Sequence, residues 1–261
     1  MGKTLYSKCN PSDIAKYVIF SGDPWRVEII KKHLEDVNHI AFSREFNTYT
    51  GTYKGVRITI SSTGIGAPSA AIAMEEMYQC GMEVALRMGT VMSLKDDLLG
   101  HYIVPVGSIR EESTSKTYVQ ETYPAIADFD LIETINETIK EYGSDVDNGL
   151  NVTLDGFYSQ MHMSKLAKER NIDVYKVFDK YKRLNVSGID MESSCMMVVG
   201  RLMNDKTACL TLVTVLENLK DSLKGKVRDD KEEELCKIAL ESIYKYDKRG
   251  KKNEKWCIRN R

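Results

Sequence analysis

Arginine side chains stand at the ends of several short apolar runs in this sequence. Three stretches share this pattern: SGDPWR (21–26), SREF (43–46) and RMGT (87–90). The carboxyl ends of parallel strands are where α/β sheets bind ligands. Guanidinium groups, backbone N–H groups and a threonine hydroxyl together suit a free oxyanion such as phosphate. A lone surface arginine is usually a solvated charge, but the repeated pattern indicates an anion site built from Arg26, Arg44 and Arg87.

Two carboxylates lie close together in GIDMES (188–193), where a strand meets an apolar helix. Asp190 has a purely structural interpretation, because an aspartate before a helix can cap its first N–H groups. Glu192 is followed by small and apolar residues and should face inward, where a carboxylate needs hydrogen-bonding partners. Vicinal sugar hydroxyls are suitable partners. The pair Phe157-Tyr158 would offer an aromatic platform beside such a sugar, although a core aromatic pair is an equal alternative.

The stretch ISSTGIGAPS (60–69) resembles the start of a nucleotide site, because two glycines separate an apolar run from a helix. A dinucleotide site needs a third glycine or alanine, and an acidic residue about 20 residues later at the end of the next strand. Ser69 occupies the third position, and the next strand ends in Arg87 rather than in an acid. We therefore reject a dinucleotide site. Gly64 and Gly66 are instead predicted to form a tight turn into a helix.

Short β-branched runs alternate with helical patterns along the chain. The predicted strands are 16–21, 56–62, 84–89, 101–109, 149–154 and 208–216, and the predicted helices are 25–34, 68–80, 130–142, 163–170, 191–203 and 229–246. This alternation predicts one α/β domain in which a buried central sheet is flanked by helices. The last segment, 248–261, carries seven lysines or arginines against one glutamate. It is predicted to be a flexible, solvated tail rather than a contact for an acidic partner.

The composition is ordinary for a globular protein of 261 residues, with 42% hydrophobic and 29% charged residues. The net charge of −1 favours neither nucleic acid nor a membrane surface as a partner. No apolar run reaches the ~18–20 residues of a membrane span, and the N-terminus lacks the apolar stretch of a signal peptide. Six scattered cysteines and only four histidines argue against a zinc site and for a cytoplasmic location.

Seven segments in colinear order resemble the nucleoside phosphorylase family of trimeric and hexameric type, and most closely the uridine phosphorylases. They are GDPWRV (22–27), SREF (43–46), STGIGAPS (62–69), RMGT (87–90), YPAIADFD (123–130), DGFYSQ (155–160) and GIDMES (188–193). The resemblance implies a phosphorylase/hydrolase-like domain over residues 1–247, with a mixed, partly barrel-like central sheet. Such proteins are pentosyltransferases that join ribose cleavage to attack by phosphate. They require no cofactor beyond phosphate as co-substrate.

The resemblance also implies roles for individual residues. The residues that would bind phosphate are Gly22, Arg26, Arg87 and Thr90, with Arg44 supplied by a neighbouring subunit. The residues that would hold the ribose are Glu192, Thr90, Met191 through its backbone, and Tyr6 in the place of a histidine from a neighbouring subunit. Arg87 and Glu192 would lie closest to the chemistry, and Phe157 would flank the base or the sugar.

The residues that choose the base depart from the family pattern. In purine-cleaving relatives an aspartate near the end of the late strand protonates the purine; that position is Thr214 here, and the nearest acid is Glu217. In uridine phosphorylases a glutamine and an arginine read uracil. Gln160 matches the glutamine, and His162 takes the place of the arginine. The resemblance therefore implies uridine as the substrate in pyrimidine salvage, with a purine nucleoside as the alternative.

Met92 stands where the family has a glycine, and its side chain would narrow the base or ribose pocket. A catalytically weakened relative that only binds a ligand is therefore a further alternative. A hydrolytic nucleosidase is a fourth possible function. The set of arginines argues against it, because these side chains indicate a phosphate site.

The resemblance implies an assembly of several identical subunits. If Arg44 and Tyr6 reach a neighbouring site, the protein is at least a dimer, and we expect a hexamer of three dimers. Some bacterial relatives hold a monovalent cation between subunits. The matching residues here are Glu45, Ile65 and Ser69, which implies a structural potassium ion.

Overall fold

The computed structural model describes residues 2–259, with side chains at all of these except Asn218 and 251–259. One mixed sheet of twelve strands organises this part of the chain. The strands are β1 (Tyr17–Ser21), β2 (Glu35–Ser43), β3 (Phe46–Tyr53), β4 (Val56–Ser62), β5 (Val84–Ser93), β6 (Tyr102–Ile103), β7 (Gly107–Arg110), β8 (Ala125–Ile126), β9 (Val146–Asp147), β10 (Leu150–Thr153), β11 (Val186–Asp190) and β12 (Lys206–Leu216). The α-helices are α1 (Pro24–Ile30), α2 (Ala67–Gln79), α3 (Phe129–Glu141), α4 (Lys165–Glu169), α5 (Val174–Arg183), α6 (Ser193–Leu202) and α7 (Gly225–Arg259).

Strand β5 lies at the centre of the sheet, because it pairs with three other strands. Residues Val84 to Met88 pair in parallel with β1, whereas Met92 and Ser93 pair antiparallel with β11. The order β2-β3-β4-β1-β5-β11-β10-β7-β8 forms the main path, and β12, β6 and β9 branch from β5. The point where a central strand changes partner is where α/β sheets commonly bind ligands.

Helices cover both faces of the sheet. On one face, Leu131 of α3 and Leu240 of α7 share an apolar cluster with Leu86 of β5. On the other face, Met74 of α2 belongs to a cluster that contains Ala85, the neighbour of Leu86. Successive strand residues therefore enter opposite layers, as the two-residue period of a strand requires. The predicted α/β domain with a buried mixed sheet is confirmed.

The differences from the sequence prediction fall mainly in polar segments. Strands β2 and β3 form an antiparallel pair that was not predicted, because Glu35, Asp36 and Asn38 interrupt the apolar pattern of β2 and Gly51 lies within β3. The single strand predicted over 101–109 is divided into β6 and β7, and Pro105 between them has no N–H to donate to a ladder. Helix α5 was also missed, although Val174, Phe178 and Tyr181 are buried at helical spacing.

The final helix is longer than the sequence predicted. Helix α7 begins at Gly225 and ends at Arg259, so it includes most of the segment 248–261 that was predicted as a tail. The side chains from 251 onward lie outside the described residues, and the flexibility of this segment stays a prediction.

The structure also bears on two sequence predictions, the absence of a membrane span and the free state of the cysteines. Across the described residues, no helix combines the length and the apolar character that crossing a bilayer requires. The described cysteines are buried free thiols, namely Cys9, Cys80, Cys195, Cys209 and Cys236.

Candidate active site

A cavity of about 480 Å³ lies where β5 changes partner. Its wall is assembled from strand ends and the turns that follow them, and includes Gly22, Arg26, Gly64, Ile65, Arg87, Gly89, Thr90, Met92, Phe157, Met161, Glu192, Thr214, Val215 and Arg228. This volume suits a small organic ligand. The side chains of Arg26, Arg87 and Glu192, which the sequence placed at separate strand ends, thus face one space.

Arg87 forms a buried ionic network with two carboxylates. Its Nη2 donates to Glu192 Oε2 at 2.6 Å, and its Nε donates to Asp190 Oδ2 at 3.3 Å. Burial acts to lower the pKa of Arg87, but the charges of Glu192 and Asp190 outweigh burial and raise that pKa. Burial also raises the pKa of Glu192, and the charge of Arg87 opposes this effect. The network therefore keeps Arg87 charged and fixes its guanidinium group at the cavity wall.

The glycine turn that precedes α2 positions Glu192. The backbone N–H of Gly66 donates to Glu192 Oε1 at 2.7 Å. Gly64 and Gly66 have φ values of +72° and +95°, a region that side chains rarely allow. The predicted tight turn is present, and it also anchors a carboxylate that the sequence placed in a distant segment.

Asp190 supports both the network and the start of α6. Its Oδ1 accepts from Thr153 Oγ1 at 2.9 Å, and its Oδ2 accepts from the backbone N–H of Ser193 at 3.2 Å. Asp190 therefore accepts the first backbone N–H of α6, although the N-cap residue of this helix is Glu192. The same carboxylate also fixes Arg87, so capping and site assembly are not alternatives here.

Arg26 faces the cavity from the first turn of α1. Its Nη1 donates to Ser21 Oγ at 3.2 Å, and its Nη2 contacts Glu232 Oε2 on α7 at 3.4 Å. Its buried Nε has no hydrogen-bond partner among the described residues. Gly22 and Thr90 line the same cavity, so the structure brings together the four predicted phosphate residues of this chain.

Arg228 was not anticipated from the sequence as a site residue. It lines the cavity from α7, and its Nε donates to Glu232 Oε1 at 2.8 Å. The spacing of four residues on a helix was visible in the sequence, but such a pair is usually a surface ion pair. No local pattern in the sequence indicated that α7 begins beside α1.

Arg44 and Tyr6 lie together, and neither is among the described residues that line this cavity. The Arg44 guanidinium lies 5.2 Å from the centre of the Tyr6 ring. Glu76 accepts the backbone N–H groups of Tyr6 at 2.7 Å and of Ser7 at 2.6 Å, which holds the N-terminal segment in place. The single chain therefore does not bring Arg44 and Tyr6 to the phosphate residues.

The end of the cavity near Met92 is largely apolar. Phe157 and Met161 line it from one π-helical turn, Phe157–Met161, and π turns are frequent at functional sites. Met92 is buried and packs in the same cluster as Phe157 and Val215. Thr214 completes this wall. The predicted base-flanking position of Phe157 thus lies at the cavity, and so does Met92.

Gln160 and His162 lie beside this wall without being among the described residues that line it. Gln160 Oε1 accepts from the backbone N–H of Gly156 at 2.7 Å. The His162 ring lies 6.0 Å from the Phe157 ring, and its buried Nδ1 has no partner among the described residues. A role for either residue in reading uracil stays a prediction.

Glu217 is placed away from the cavity in the described structure. Its carboxylate pairs with Lys182 at 2.6 Å and with Lys220 at 3.5 Å. A proton donor must come within hydrogen-bond reach of the atom that it protonates. Glu217 is not among the described residues that line the cavity, and its role as an acid for purine cleavage stays a prediction.

The residues expected to hold a monovalent cation lie close together at the glycine turn. A Cβ built on Gly64 would lie 2.8 Å from Glu45 Cγ and 3.4 Å from Ser69 Oγ. The Ser69 hydroxyl contacts the Ile65 carbonyl oxygen at 3.4 Å. Carboxylate, hydroxyl and carbonyl oxygens are the donors that a hard cation prefers, so these residues fit such an ion.

Comparisons with known proteins agree with this geometry. A sequence model of the phosphorylase superfamily matches residues 16–244. A uridine phosphorylase of Thermococcus kodakarensis is 32% identical over 213 residues, which cover 81% of this chain and 77% of that protein. A purine nucleoside phosphorylase of Plasmodium falciparum is 30% identical over 79% of this chain and 80% of its own length.

The solved structures agree as well. The crystal structure of uridine phosphorylase from Vibrio fischeri superimposes with a TM-score of 0.84 at 31% identity, covering 94% of this chain and 98% of that chain. The described chain thus shares both fold and sequence with these enzymes. It belongs to the phosphorylase superfamily and is a nucleoside phosphorylase, most like the uridine phosphorylases.

Proposed function

We propose that this protein catalyses the reversible phosphorolysis of uridine to uracil and ribose 1-phosphate. The observation that carries the proposal is the buried Arg87, paired with Glu192 and facing a cavity that Arg26 also lines. This arrangement places two guanidinium groups, each anchored by a carboxylate, and the carboxylate of Glu192 around one small ligand. Identity of about 30% to uridine phosphorylases over most of the chain supports uridine as the substrate.

Phosphate binds at the end of the cavity formed by Gly22, Arg26, Arg87 and Thr90. Guanidinium groups match the geometry of phosphate oxygens. The unpartnered Nε of Arg26 is a donor ready for such an oxygen. Glu192 accepts the ribose 2′- and 3′-hydroxyls, with the backbone of Met191 and the hydroxyl of Thr90 beside it.

The chain contributes orientation and electrostatics to the reaction. As the bond between C1′ and the base breaks, its electron pair passes to the base, and a phosphate oxygen bonds to C1′ from the opposite side. The ribose passes through a cationic, oxocarbenium-like state, which the phosphate charge stabilises. Arg26 and Arg87 hold the phosphate beneath C1′, which makes the attack effectively unimolecular. No covalent intermediate with the protein is required.

A purine nucleoside is the second candidate substrate. Purine nucleoside phosphorylases are also similar to this chain, at 30% identity for the Plasmodium falciparum enzyme. The cavity wall carries Thr214 where those enzymes are expected to have an acid, and Glu217 is engaged elsewhere. These two features favour uridine.

Met92 motivates a third candidate, a relative that binds a ligand without turnover. Its side chain is buried in the wall of the cavity, so replacing it by alanine would enlarge the base end. If Met92→Ala creates activity that the wild type lacks, the ligand-binding candidate is favoured. Strong wild-type activity removes this candidate.

We further propose that the active form is an oligomer, at least a dimer and in full a hexamer, in the cytoplasm. Arg44 and Tyr6 stack together outside the cavity of their own chain, as a pair donated to a neighbour would. Leu5, Phe42 and Ile65 are apolar side chains with 69%, 60% and 78% of their surface exposed, and they suit a contact between copies. A potassium ion at Glu45, Ile65 and Ser69 would add a structural contact at the same place.

The experiment that tests substrate choice is a parallel assay of uridine, thymidine, inosine and adenosine. Free base and sugar phosphate are measured with and without phosphate. Phosphate-dependent release of uracil as the fastest reaction supports the proposal. Faster release of a purine base would replace uridine by a purine nucleoside, and release without phosphate would indicate a hydrolase.

A further inference from the structure

Thr153 on β10 lies directly opposite Asp190 on β11 in the parallel ladder, so the two side chains are neighbours on one face of the sheet. The hydroxyl of Thr153 donates to Asp190 Oδ1 at 2.9 Å. It accepts from the backbone N–H of Ser194 at 2.8 Å and lies 3.1 Å from Ser108 Oγ. Thr153 is fully buried, so its hydrogen bonds are made within the protein.

The chemistry of the partners sets the direction of these hydrogen bonds. A hydroxyl has one hydrogen to donate and two lone pairs, whereas a carboxylate only accepts. Because Thr153 gives its hydrogen to Asp190, Ser108 must donate to Thr153, and the N–H of Ser194 takes the second lone pair. Every hydrogen-bonding position of the Thr153 hydroxyl is thus filled, which fixes its orientation.

The Asp190 carboxylate depends on its partners for its own orientation, because the last torsion of an aspartate side chain is only weakly restricted. Its Oδ2 accepts from Arg87 Nε at 3.3 Å and from the backbone N–H of Ser193 at 3.2 Å. Its Oδ1 accepts from Thr153 at 2.9 Å, and the N–H of Ser193 is 3.3 Å from it. Loss of the Thr153 hydroxyl would therefore leave the carboxylate free to rotate away from Arg87.

Asp190 in turn holds one edge of the Arg87 guanidinium group. The Nε of Arg87 donates to Asp190, and its Nη2 donates to Glu192. The other N–H donors of Arg87 have no partner within the described part of the chain, and Arg87 lines the cavity. Because a guanidinium group is planar and rigid, the hydrogen bond at Nε sets the direction of these remaining donors.

We propose that Thr153 is a positioning residue for the phosphate site, which acts through Asp190 to direct the remaining N–H donors of Arg87 towards phosphate. The inference rests on the proposed function and deepens it, because Thr153 is not among the described residues that line the cavity. It predicts a defect in phosphate binding rather than in uridine binding. Glu192, the proposed ribose contact, keeps its separate hydrogen bond from the backbone of Gly66.

Thr153→Val tests the proposal, because valine keeps the shape of the side chain and removes the hydroxyl. The KM for phosphate, measured at saturating uridine, should rise about ten-fold, as expected for one lost hydrogen bond. The KM for uridine should stay within about three-fold of wild type. Thr153→Ser keeps the hydroxyl and should keep the KM for phosphate within about three-fold of wild type.

Thr138→Val is the matched control. Thr138 is also fully buried, and its hydroxyl donates to the carbonyl oxygen of Thr134 at 2.8 Å within α3. This variant should lose similar stability in urea unfolding and retain the KM for phosphate. Ser108→Ala is a milder change that applies if Thr153→Val does not fold. It removes a hydrogen bond that Thr153 accepts, and should raise the KM for phosphate about two- to five-fold.

A double variant tests whether Thr153 acts through Asp190. In an Asp190→Asn background, Thr153→Val should change the KM for phosphate by less than about two-fold, because residues that act through one contact are not additive.

The possible results separate the two proposals. If the wild type splits no nucleoside with phosphate, the proposed function itself fails. If the wild type is active and Thr153→Val keeps the wild-type KM for phosphate, the role of Thr153 is refuted. It is also refuted if Thr138→Val raises that KM equally, if Thr153→Ser is as impaired as Thr153→Val, or if the fold-changes multiply in the double variant.

Discussion

The backbone N–H of Gly66 lies 2.7 Å from Glu192 Oε1, while the other oxygen of that carboxylate lies 2.6 Å from Arg87 Nη2. Glu192 is therefore held between a glycine turn and a buried arginine. Both contacts cross long stretches of sequence, because the turn follows β4 and the carboxylate follows β11. The turn that resembles a nucleotide motif thus orients a carboxylate in the cavity wall.

Replacing Gly66 by alanine should impair catalysis more than stability. At φ +95° an alanine is strained by on the order of 1–3 kcal/mol, and relief of this strain moves the N–H away from Glu192. We expect kcat/KM to fall about ten-fold or more through loss of the oriented carboxylate. Steady-state kinetics and urea unfolding measure the two effects.

Gly81→Ala is the matched control, because Gly81 also has φ +95° and its Cβ would meet nothing within 4 Å. It should lose similar stability and retain its activity. If both variants lose activity equally, loss of the contact between Gly66 and Glu192 does not explain the lower kcat/KM of Gly66→Ala.

Gly89→Ala should disturb phosphate binding and also lower the free energy of unfolding, because a shift of Arg87 weakens its buried ion pairs with Glu192 and Asp190. A Cβ at Gly89 would lie 3.0 Å from Cζ of Arg87, closer than nearly all such contacts. The guanidinium is the flexible end of its side chain, so it can shift and leave the phosphate position. The KM for phosphate should rise about ten-fold or more, since an oriented arginine contact is lost. An unchanged KM, measured at saturating uridine, would contradict the position assigned to Arg87.

Glu217→Gln should leave kcat/KM within about two-fold of wild type for each nucleoside, because a change at an exposed ion pair is nearly neutral. The Glu217 carboxylate pairs with Lys182 and Lys220 and lies outside the described cavity wall. Glu192→Gln is the contrasting variant, with an expected loss of about 100-fold, as for other oriented polar groups in active sites. A selective loss of purine cleavage in Glu217→Gln would instead identify Glu217 as an acid.

Asp205 should make the protein less stable as the pH rises. Burial, with a contribution from Glu83, raises the pKa of Asp205 to about 7, and one oxygen of this carboxyl has no described partner. The unfolded value is about 3.9, so the stabilisation is complete below that pH and is lost as the pH rises to about 7.

Asp205→Asn tests this pH dependence. The variant should match wild type near pH 4 and exceed it at pH 8 by on the order of 2 kcal/mol. Urea unfolding between pH 4 and 8 gives the two profiles. Parallel profiles would show that Asp205 keeps an ordinary pKa in the folded protein.

Much of the cavity could be predicted from the sequence. Arg26, Arg87 and Glu192 combine a charged side chain with a strand end or an apolar helix, and each feature is local. Their convergence follows from the rule that ligands bind at the carboxyl ends of the strands of an α/β sheet.

Other features depend on geometry that no local pattern encodes. The unpaired position of Thr214 arises from the register between β12 and β5. The orientation of Gln160 arises from the start of a π turn, where the backbone N–H of Gly156 donates to the side-chain oxygen of Gln160. Arg228 reaches the cavity only because α7 begins beside it. Register, turn type and helix placement are tertiary outcomes, so residue types alone did not indicate them.

The most direct test of the central claim is the rate of uracil release from uridine as the phosphate concentration is varied, with ribose 1-phosphate measured in the same samples. Because Arg26 and Arg87 form a site for the attacking phosphate, we predict a rate that saturates with phosphate and yields one ribose 1-phosphate for each uracil. Release of uracil with free ribose at the same rate without phosphate would contradict the account.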